Sequence, residues 1–259
     1  MLILLVLLLA AGWAYQILAL VSLARLFRRP QPAPPHPAGA PGITVFKPIK
    51  GLEPDTRECL ESFLHQDYPV FQVLFGVAEA HDPVLPLLHD LKATAPPGRV
   101  EVVVCPENLG FNPKVSILRQ LEPHARYPLL VIADGDVRVA PDFLGRVAGA
   151  LKDPGVGLVS CPYRAGPAAT LGARLEALTI SGDFIPSVAM AHLVEGIRFA
   201  LGAAMALTRE ALGAAGGFAA LADYLADDYQ LGRRVHEAGC AVRLLPYVVE
   251  TVNPRMSFA

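Results

Sequence analysis

The chain has 259 residues, of which 53% are hydrophobic and only 18% charged, with a mean hydropathy of +0.41 and a formal net charge of -2. That length suffices for one sizeable domain with its own core. The near-neutral charge argues against a basic nucleic-acid surface, so no nucleic-acid partner is expected, and the apolar balance predicts contact with a membrane. The cysteines Cys59, Cys105, Cys161 and Cys240 form no C-x-x-C pair, which excludes a zinc ribbon or a disulfide framework and fits reduced thiols in a cytosolic domain.

Leu2 to Leu23 is almost unbroken apolar sequence. Roughly 20 such residues cross a bilayer as a helix. Arg25, Arg28 and Arg29 follow directly, so the positive-inside rule puts the rest of the chain in the cytoplasm. A cleaved signal peptide would carry its positive charge ahead of a shorter apolar core; an uncleaved anchor over residues 1–27 is expected instead. Residues 28–42 hold the proline-rich stretch Pro30 to Gly42, a semi-extended linker.

The folded part is expected over residues 43–259. Ile43 to Phe46 reads as a strand and Lys47 to Gly51 as a loop. Asp55 or Thr56 caps a helix to about His65. Val70 to Ala78 reads as a strand, and Pro83 starts a helix to about Ala93. Val100 to Val104 is a third strand. Asn108 to Lys114 is a polar loop, followed by a short helix to Leu121. The run Leu129 to Val139 is a buried strand, preceded by Pro128 and ending in Asp134-Gly135-Asp136-Val137-Arg138-Val139. Strands alternating with helices at this spacing predict βαβ units, a parallel sheet and a Rossmann-like nucleotide-binding half. Neither G-x-G-x-x-G nor a Walker A loop is present, which weakens the dinucleotide and P-loop readings. Later come a helix over Asp142 to Leu151, a strand over Val156 to Cys161, and a long apolar stretch over Thr170 to His192. Phe199 to Leu207 reads as a strand and Thr208 as the cap of a short helix. Gly216-Gly217-Phe218 is a turn, a helix runs from about Asp227 to Ala238, and two short strands cover Ala241 to Leu245 and Val248 to Val252.

Asp134 and Asp136 stand where open α/β sheets bind ligands, at the C-terminal end of a buried strand. Residues two apart on an extended strand face the same way, so both carboxylates reach one cation if the chain stays extended there. Mg²⁺ takes one or two carboxylates and completes its shell with water and phosphate oxygens. Gly135 leaves room for something to approach the backbone.

The ordered set Lys47-Pro48-Ile49-Lys50-Gly51, His81-Asp82-Pro83, Asn112-Pro113-Lys114, Asp134 to Val139, Gly216-Gly217-Phe218 and Ala226-Asp227-Asp228-Tyr229 resembles the inverting glycosyltransferases of the ceramide glucosyltransferase family. Within this family 2/21-like group it is most similar to the bacterial branch associated with hopanoid biosynthesis. The resemblance implies an α/β fold of the GT-A type behind the N-terminal transmembrane helix, a nucleotide-sugar donor, most often a UDP-sugar, a lipid acceptor such as a hopanoid or ceramide, and a divalent metal, Mg²⁺ or Mn²⁺. It places the protein in the bacterial inner membrane with the catalytic domain in the cytoplasm. By the same resemblance Asp82 or Glu79 contacts the nucleoside, Asp134 and Asp136 hold metal and diphosphate, and Asp228, with Asp227 beside it, is the general base. Lys47, Lys50 and Lys114 are candidates to offset diphosphate charge.

Members of this family carry a Q-x-x-R-W motif after the base, then further membrane segments. The chain stops at Ala259 before such a motif, which is read as a fragment or a shortened member. The competing expectation is therefore a catalytically inactive module that binds the nucleotide-sugar without turnover. A nucleotidyltransferase is a third, for which Lys47 to Gly51 is a poor phosphate loop. The apolar stretch Thr170 to His192 is expected to help the anchor hold the site near the bilayer surface.

Overall fold

The computed structural model describes residues 1–31, 33–34 and 39–252; residues 32 and 35–38 of the expected linker and residues 253–259 lie outside the described residues. Helix α1 (Leu2–Phe27) is exposed along most of its length and buries only Ala19, Ser22 and Leu26. At 26 residues it is about 39 Å long, enough to cross a bilayer.

The next segment alternates strand and helix: β1 (Ile43–Ile49), α2 (Thr56–Leu64), β2 (Phe71–Val77), α3 (Leu85–Thr94), β3 (Val100–Val104), α4 (Pro113–Leu121) and β4 (Leu129–Ala133). After β4 come β5 (Val137–Arg138), α5 (Phe143–Leu151), β6 (Val156–Ser160) and β7 (Tyr163–Ala165). Helix α6 (Leu171–Thr179) continues through a π-helical turn, Ile180–Phe184, into α7 (Ile185–Val194). The chain closes with β8 (Ala204–Thr208), α8 (Arg209–Ala214), α9 (Asp227–Glu237), β9 (Ala241–Leu244) and β10 (Val249–Thr251).

Seven strands form one sheet in the order β3-β2-β1-β4-β8-β6-β9. The pairs β2–β3, β1–β2 and β1–β4 are parallel, as the βαβ pattern predicts. Beyond β4 the parallel pattern of this half does not continue, because β8 runs antiparallel to both β4 and β6. Its register sets Ala204 against Ala133 and Ala206 against Val131, so small side chains let it sit centrally. The strand is shorter than the apolar run Phe199 to Leu207: it begins at Ala204.

Successive residues of the inner strands face opposite sides, which explains runs without polar alternation. Val45, Val73 and Val131 join Leu60, Phe63, Leu88 and Phe143 on one face, under α2, α3 and α5. Phe46, Leu74 and Ile132 join Leu118, Phe218, Leu231 and Val235 on the other. There Phe46 meets Phe218 edge to face with centroids 5.7 Å apart.

Two sequence expectations change with consequence for the site. β1 runs on to Ile49, so Lys47 lies in a strand and is fully buried instead of sitting in a loop. The run Leu129 to Val139 is not one strand. It breaks into β4 and β5, and β5 belongs to a small separate sheet, β5-β10-β7. The break is a turn at Asp134-Gly135-Asp136, closed by the Val137 amide donating to the Asp134 carbonyl at 3.2 Å.

Candidate active site

The chain order reverses between β1 and β4: β1 pairs with β2 on one side and β4 on the other. That is the switch point at which open α/β sheets leave a crevice beyond their strand ends. The Asp134-Gly135-Asp136 turn hangs over it. Its backbone is held from several sides: the Asp134 amide donates to Ala203 O at 3.2 Å, and the Val252 amide and the Cys59 thiol donate to Asp136 O at 2.9 and 3.4 Å. The small sheet supplies the Val252 contact, and Arg138 on β5 pairs with Glu58 of α2 and Glu250 of β10. Extended geometry is therefore not what brings Asp134 and Asp136 together; the turn does, and both carboxylates border one cavity of about 360 Å³.

Asp228 borders the same cavity, with Tyr163, Glu176 and Gly202. Gly202 is there for space: a Cβ on it would lie 2.9 Å from the Asp228 carboxylate. A second cavity of about 270 Å³ lies between the end of β1, the start of α2 and the turn, walled by Lys50, Gly51, Asp55, Cys59 and Gly135. Asp136 faces both cavities. A Cβ on Gly135 would come no closer than 3.7 Å to Pro48 O, so the protein itself does not require glycine there.

Asp227 and Asp228 open α9, where two carboxylates suit the helix dipole. Asp227 is 7% exposed and is fixed by the Asn112-Pro113-Lys114 segment. Asn112 Nδ2 donates to Asp227 Oδ1 at 3.2 Å and to Tyr224 O at 2.8 Å, while its Oδ1 accepts from the Val115 amide and caps α4. Lys114 Nζ sits 2.6 Å from Asp134 Oδ1 and 3.8 Å from Asp227 Oδ2. One half-buried lysine thus bridges the two acidic motifs. Burial opposes its charge, yet Asp134 and Asp227 outweigh that and raise its pKa. Burial raises the pKa of Asp228, with Asp227 adding to it, against the Tyr229 amide and Lys114. Asp136 is likewise raised by burial and by Asp134, against Lys47.

Lys47 donates to the Asp134 carbonyl and lies 4.2 Å from the Phe63 ring centroid. Burial pulls its pKa down to about 8, partly offset by the thiol of Cys59 and by Asp136 and Asp134. It supports the turn from beneath and borders neither cavity. Between the two candidate nucleoside acids, Asp82 is 7% exposed and accepts from the Gly51 amide at 3.0 Å and the Val84 amide at 2.9 Å. Glu79 is exposed. Neither residue lines either of these two cavities, but Asp82 pins Gly51, which lines the smaller one. Lys50 is exposed and lines the smaller cavity.

Sequence reasoning did not single out Tyr163, Glu176 or Gly202. The only signal available for the glycine was the run of small residues from Gly202 to Ala204 before an apolar strand.

The fold is that of the GT-A type, with an acid-lined crevice at the switch point of its sheet. A mannosyltransferase from Pyrobaculum calidifontis, solved in complex with GDP-mannose and Mn²⁺, superposes with a TM-score of 0.72 at 24% identity, over 98% of this chain and 69% of that one. Glucosyl-3-phosphoglycerate synthase from Mycobacterium tuberculosis, solved with Mn²⁺, UDP and glucosyl-3-phosphoglycerate, gives a TM-score of 0.55 at 18% identity, over 83% of this chain and 73% of that one. The chain belongs to glycosyl transferase family 21, whose model matches residues 4–259. Among curated relatives, ceramide glucosyltransferase 1 of Caenorhabditis elegans is 27% identical over 229 residues, 85% of this chain and 46% of that protein. The ceramide glucosyltransferase of Komagataella phaffii is 31% identical over 129 residues, 48% of this chain and 25% of that protein. The chain therefore spans less than half the length of these two relatives.

Proposed function

We propose that the protein is a membrane-anchored inverting hexosyltransferase that moves a sugar from a nucleotide-sugar, a UDP-sugar in particular, to a hydroxyl of a hopanoid or ceramide-like lipid. The observation that carries this reading is the meeting of Asp134, Asp136 and Asp228 around one cavity at the sheet's switch point. The Mn²⁺-bound glycosyltransferases of like fold and the ceramide glucosyltransferase relatives support it.

In this reading the acceptor oxygen attacks the anomeric carbon in line as the bond to the diphosphate oxygen breaks. The acceptor proton passes to the Asp228 carboxylate, which burial has made a better base. Asp227 stays tied to Asn112 and Lys114 and fixes the start of α9. Asp134 and Asp136 suit a hard divalent ion, Mg²⁺ or Mn²⁺, because two carboxylates plus diphosphate oxygens form an ordinary shell for one; among the described residues no third His, Cys, Asp or Glu converges to make a closed all-protein site. Such an ion would neutralise the charge that the departing diphosphate gains. Lys114 stands ready to share that task, Lys47 stiffens the turn, and Asp82 shapes the Gly51 loop of the cavity that suits the nucleoside. Glu79, on the surface, has no such part.

Helix α1 is the anchor in this reading, and Arg25, Arg28 and Arg29 set the domain in the bacterial cytoplasm. The test is calorimetric binding of UDP-sugars to the full chain with and without Mn²⁺ or Mg²⁺. Metal-dependent binding that Asp136→Ala abolishes and Asp228→Asn leaves intact is expected, with transfer lost in both. Metal-independent binding, or normal transfer by Asp228→Asn, would overturn the assignment.

A further inference from the structure

The small sheet β5-β10-β7 has two unlike faces, and its register sets them residue by residue. Thr251 stands opposite Val137 on one side and Ala165 on the other, and Val249 stands opposite Tyr163. On that face Val137 and Val249 are buried in the core, while Thr251 and Tyr163 line the larger cavity. The alternate residues face the other way. There Glu250 stands between Arg138 and Arg164, so a positive, a negative and a positive side chain cross the three strands in a row. Arg138 Nη2 donates to Glu250 Oε1, and Arg164 Nη2 donates to Glu250 Oε2 at 3.0 Å. Arg138 Nη1 donates to Glu58, which extends the row onto α2, the helix that walls the smaller cavity. Gly166 leaves space for the central carboxylate: a Cβ there would lie 3.0 Å from Glu250 Oε1.

We infer that this row is a positioning device for Asp136, with Arg138 at its centre, and that it holds the two cavities in register. This rests on the proposed reading in which Asp136 serves the metal and the diphosphate. Asp136 faces both cavities. Its carbonyl is gripped from two flanks, by the Cys59 thiol of α2 and by the Val252 amide that follows β10. Glu58 is the neighbour of Cys59, and Glu250 lies two residues before Val252. Arg138, two residues after Asp136, thus ties both flanks to the turn with one planar guanidinium. Thr251 lines the larger cavity and Val252 the smaller, so the same stretch helps to divide them. The inner link matters most. The side chains of Glu250 and Arg138 are 13% and 32% exposed, against 61% for Glu58 and 71% for Arg164, and exposed ion pairs contribute little. Residues Arg138 and Glu250 touch no cavity; they act through the place they give Asp136.

The test uses the full chain and two conservative variants. Glu250→Gln keeps the shape and removes the charge. Arg138→Lys keeps the charge and loses the fork that reaches two acids at once. The first readout needs no ligand: labelling by N-ethylmaleimide, located by peptide mass. Cys59 is 1% exposed and lies against the turn, whereas Cys161 is fully buried in the main core. Both variants should label at Cys59 at least fivefold faster than wild type, with Cys161 unchanged. The second readout is Mn²⁺ titration by electron paramagnetic resonance in the presence of UDP, in which both variants should bind at least threefold more weakly. Unchanged Mn²⁺ affinity in both variants, or unchanged labelling at Cys59, would overturn the inference. So would opening of Cys161 together with Cys59, since the row would then hold the whole fold and not the turn. A wild type that binds no Mn²⁺ with UDP would overturn the functional reading instead, and the labelling would still decide whether the row holds the turn.

Discussion

Gly202 and Asp228 are in such close register that a single methyl on the glycine would stand 2.9 Å from the aspartate carboxylate. Asp228 and the loop before β8 are therefore fitted to each other, although 26 positions separate Gly202 from Asp228 in sequence. Gly202→Ala should push the Asp228 side chain aside without touching the Asp134–Asp136 turn. A displacement approaching 1 Å at a reacting group costs on the order of 100-fold in rate. The expected outcome is a fall of 10- to 100-fold in kcat with UDP affinity unchanged, read by steady-state transfer and by calorimetry. Equal loss of both would mean that the glycine supports the fold and not the base.

Burial raises the Asp228 pKa from the ordinary aspartate value. A general base must be ionised, so kcat/KM should fall as pH falls through this raised value, at higher pH than an ordinary aspartate would set. The same shift affects stability. The folded state holds the proton more tightly than the unfolded chain, so stability is highest below the unfolded pKa and declines as pH rises through the folded one. Asp228→Asn should therefore raise the thermal midpoint at neutral pH and show little gain at acid pH. A variant no more stable than wild type at neutral pH would mean that ionised Asp228 carries no cost.

Much of this was legible in the sequence. Apolar runs broken by polar loops gave β1 to β4 in parallel order, and Thr208 caps α8 as read, its side chain accepting from the Ala211 amide at 3.1 Å. Asn112 was placed in a motif but its role was not visible, because its partner Asp227 lies 115 residues away. The antiparallel insertion of β8 was hidden for a related reason: an apolar, small-residue strand looks the same in either direction. The turn at Gly135 was misread because Val137 to Val139 continue the branched apolar pattern, yet serve a different sheet. Pro83 was read as the start of α3, but the helix begins at Leu85 and its first-turn proline is Pro86.

Lys114 Nζ lies 2.6 Å from Asp134 Oδ1, so a divalent ion held by Asp134, as proposed, would compete with an ammonium for that carboxylate. Lys114→Met should tighten binding of Mn²⁺ alone, by about tenfold if a charge-assisted contact of roughly 1.5 kcal/mol is relieved. It should weaken UDP, which loses a nearby cation. Manganese titration followed by electron paramagnetic resonance, with and without UDP, separates the two effects. Unchanged Mn²⁺ affinity would mean that Asp134 is not contested.

Lys47 is buried beneath the turn with its pKa pulled down to about 8. From that value up to the ordinary 10.5 the unfolded chain still holds a proton that the folded protein has released. Stability therefore rises with pH across this window, and the whole gain is about 3 kcal/mol. Below it, the folded state carries the full cost of a buried ammonium, relieved by the Asp134 carbonyl and the Phe63 ring. Lys47→Met keeps the bulk of the side chain and removes the titration. Denaturant midpoints measured from pH 7 to pH 10.5 should climb in wild type relative to this variant. Parallel curves would show that Lys47 is already neutral, or still charged, throughout that range. Lys47→Met should also loosen the turn, since the Asp134 carbonyl keeps only the Val137 amide of its two donors, and so lower metal-dependent UDP affinity at neutral pH even where the fold is retained.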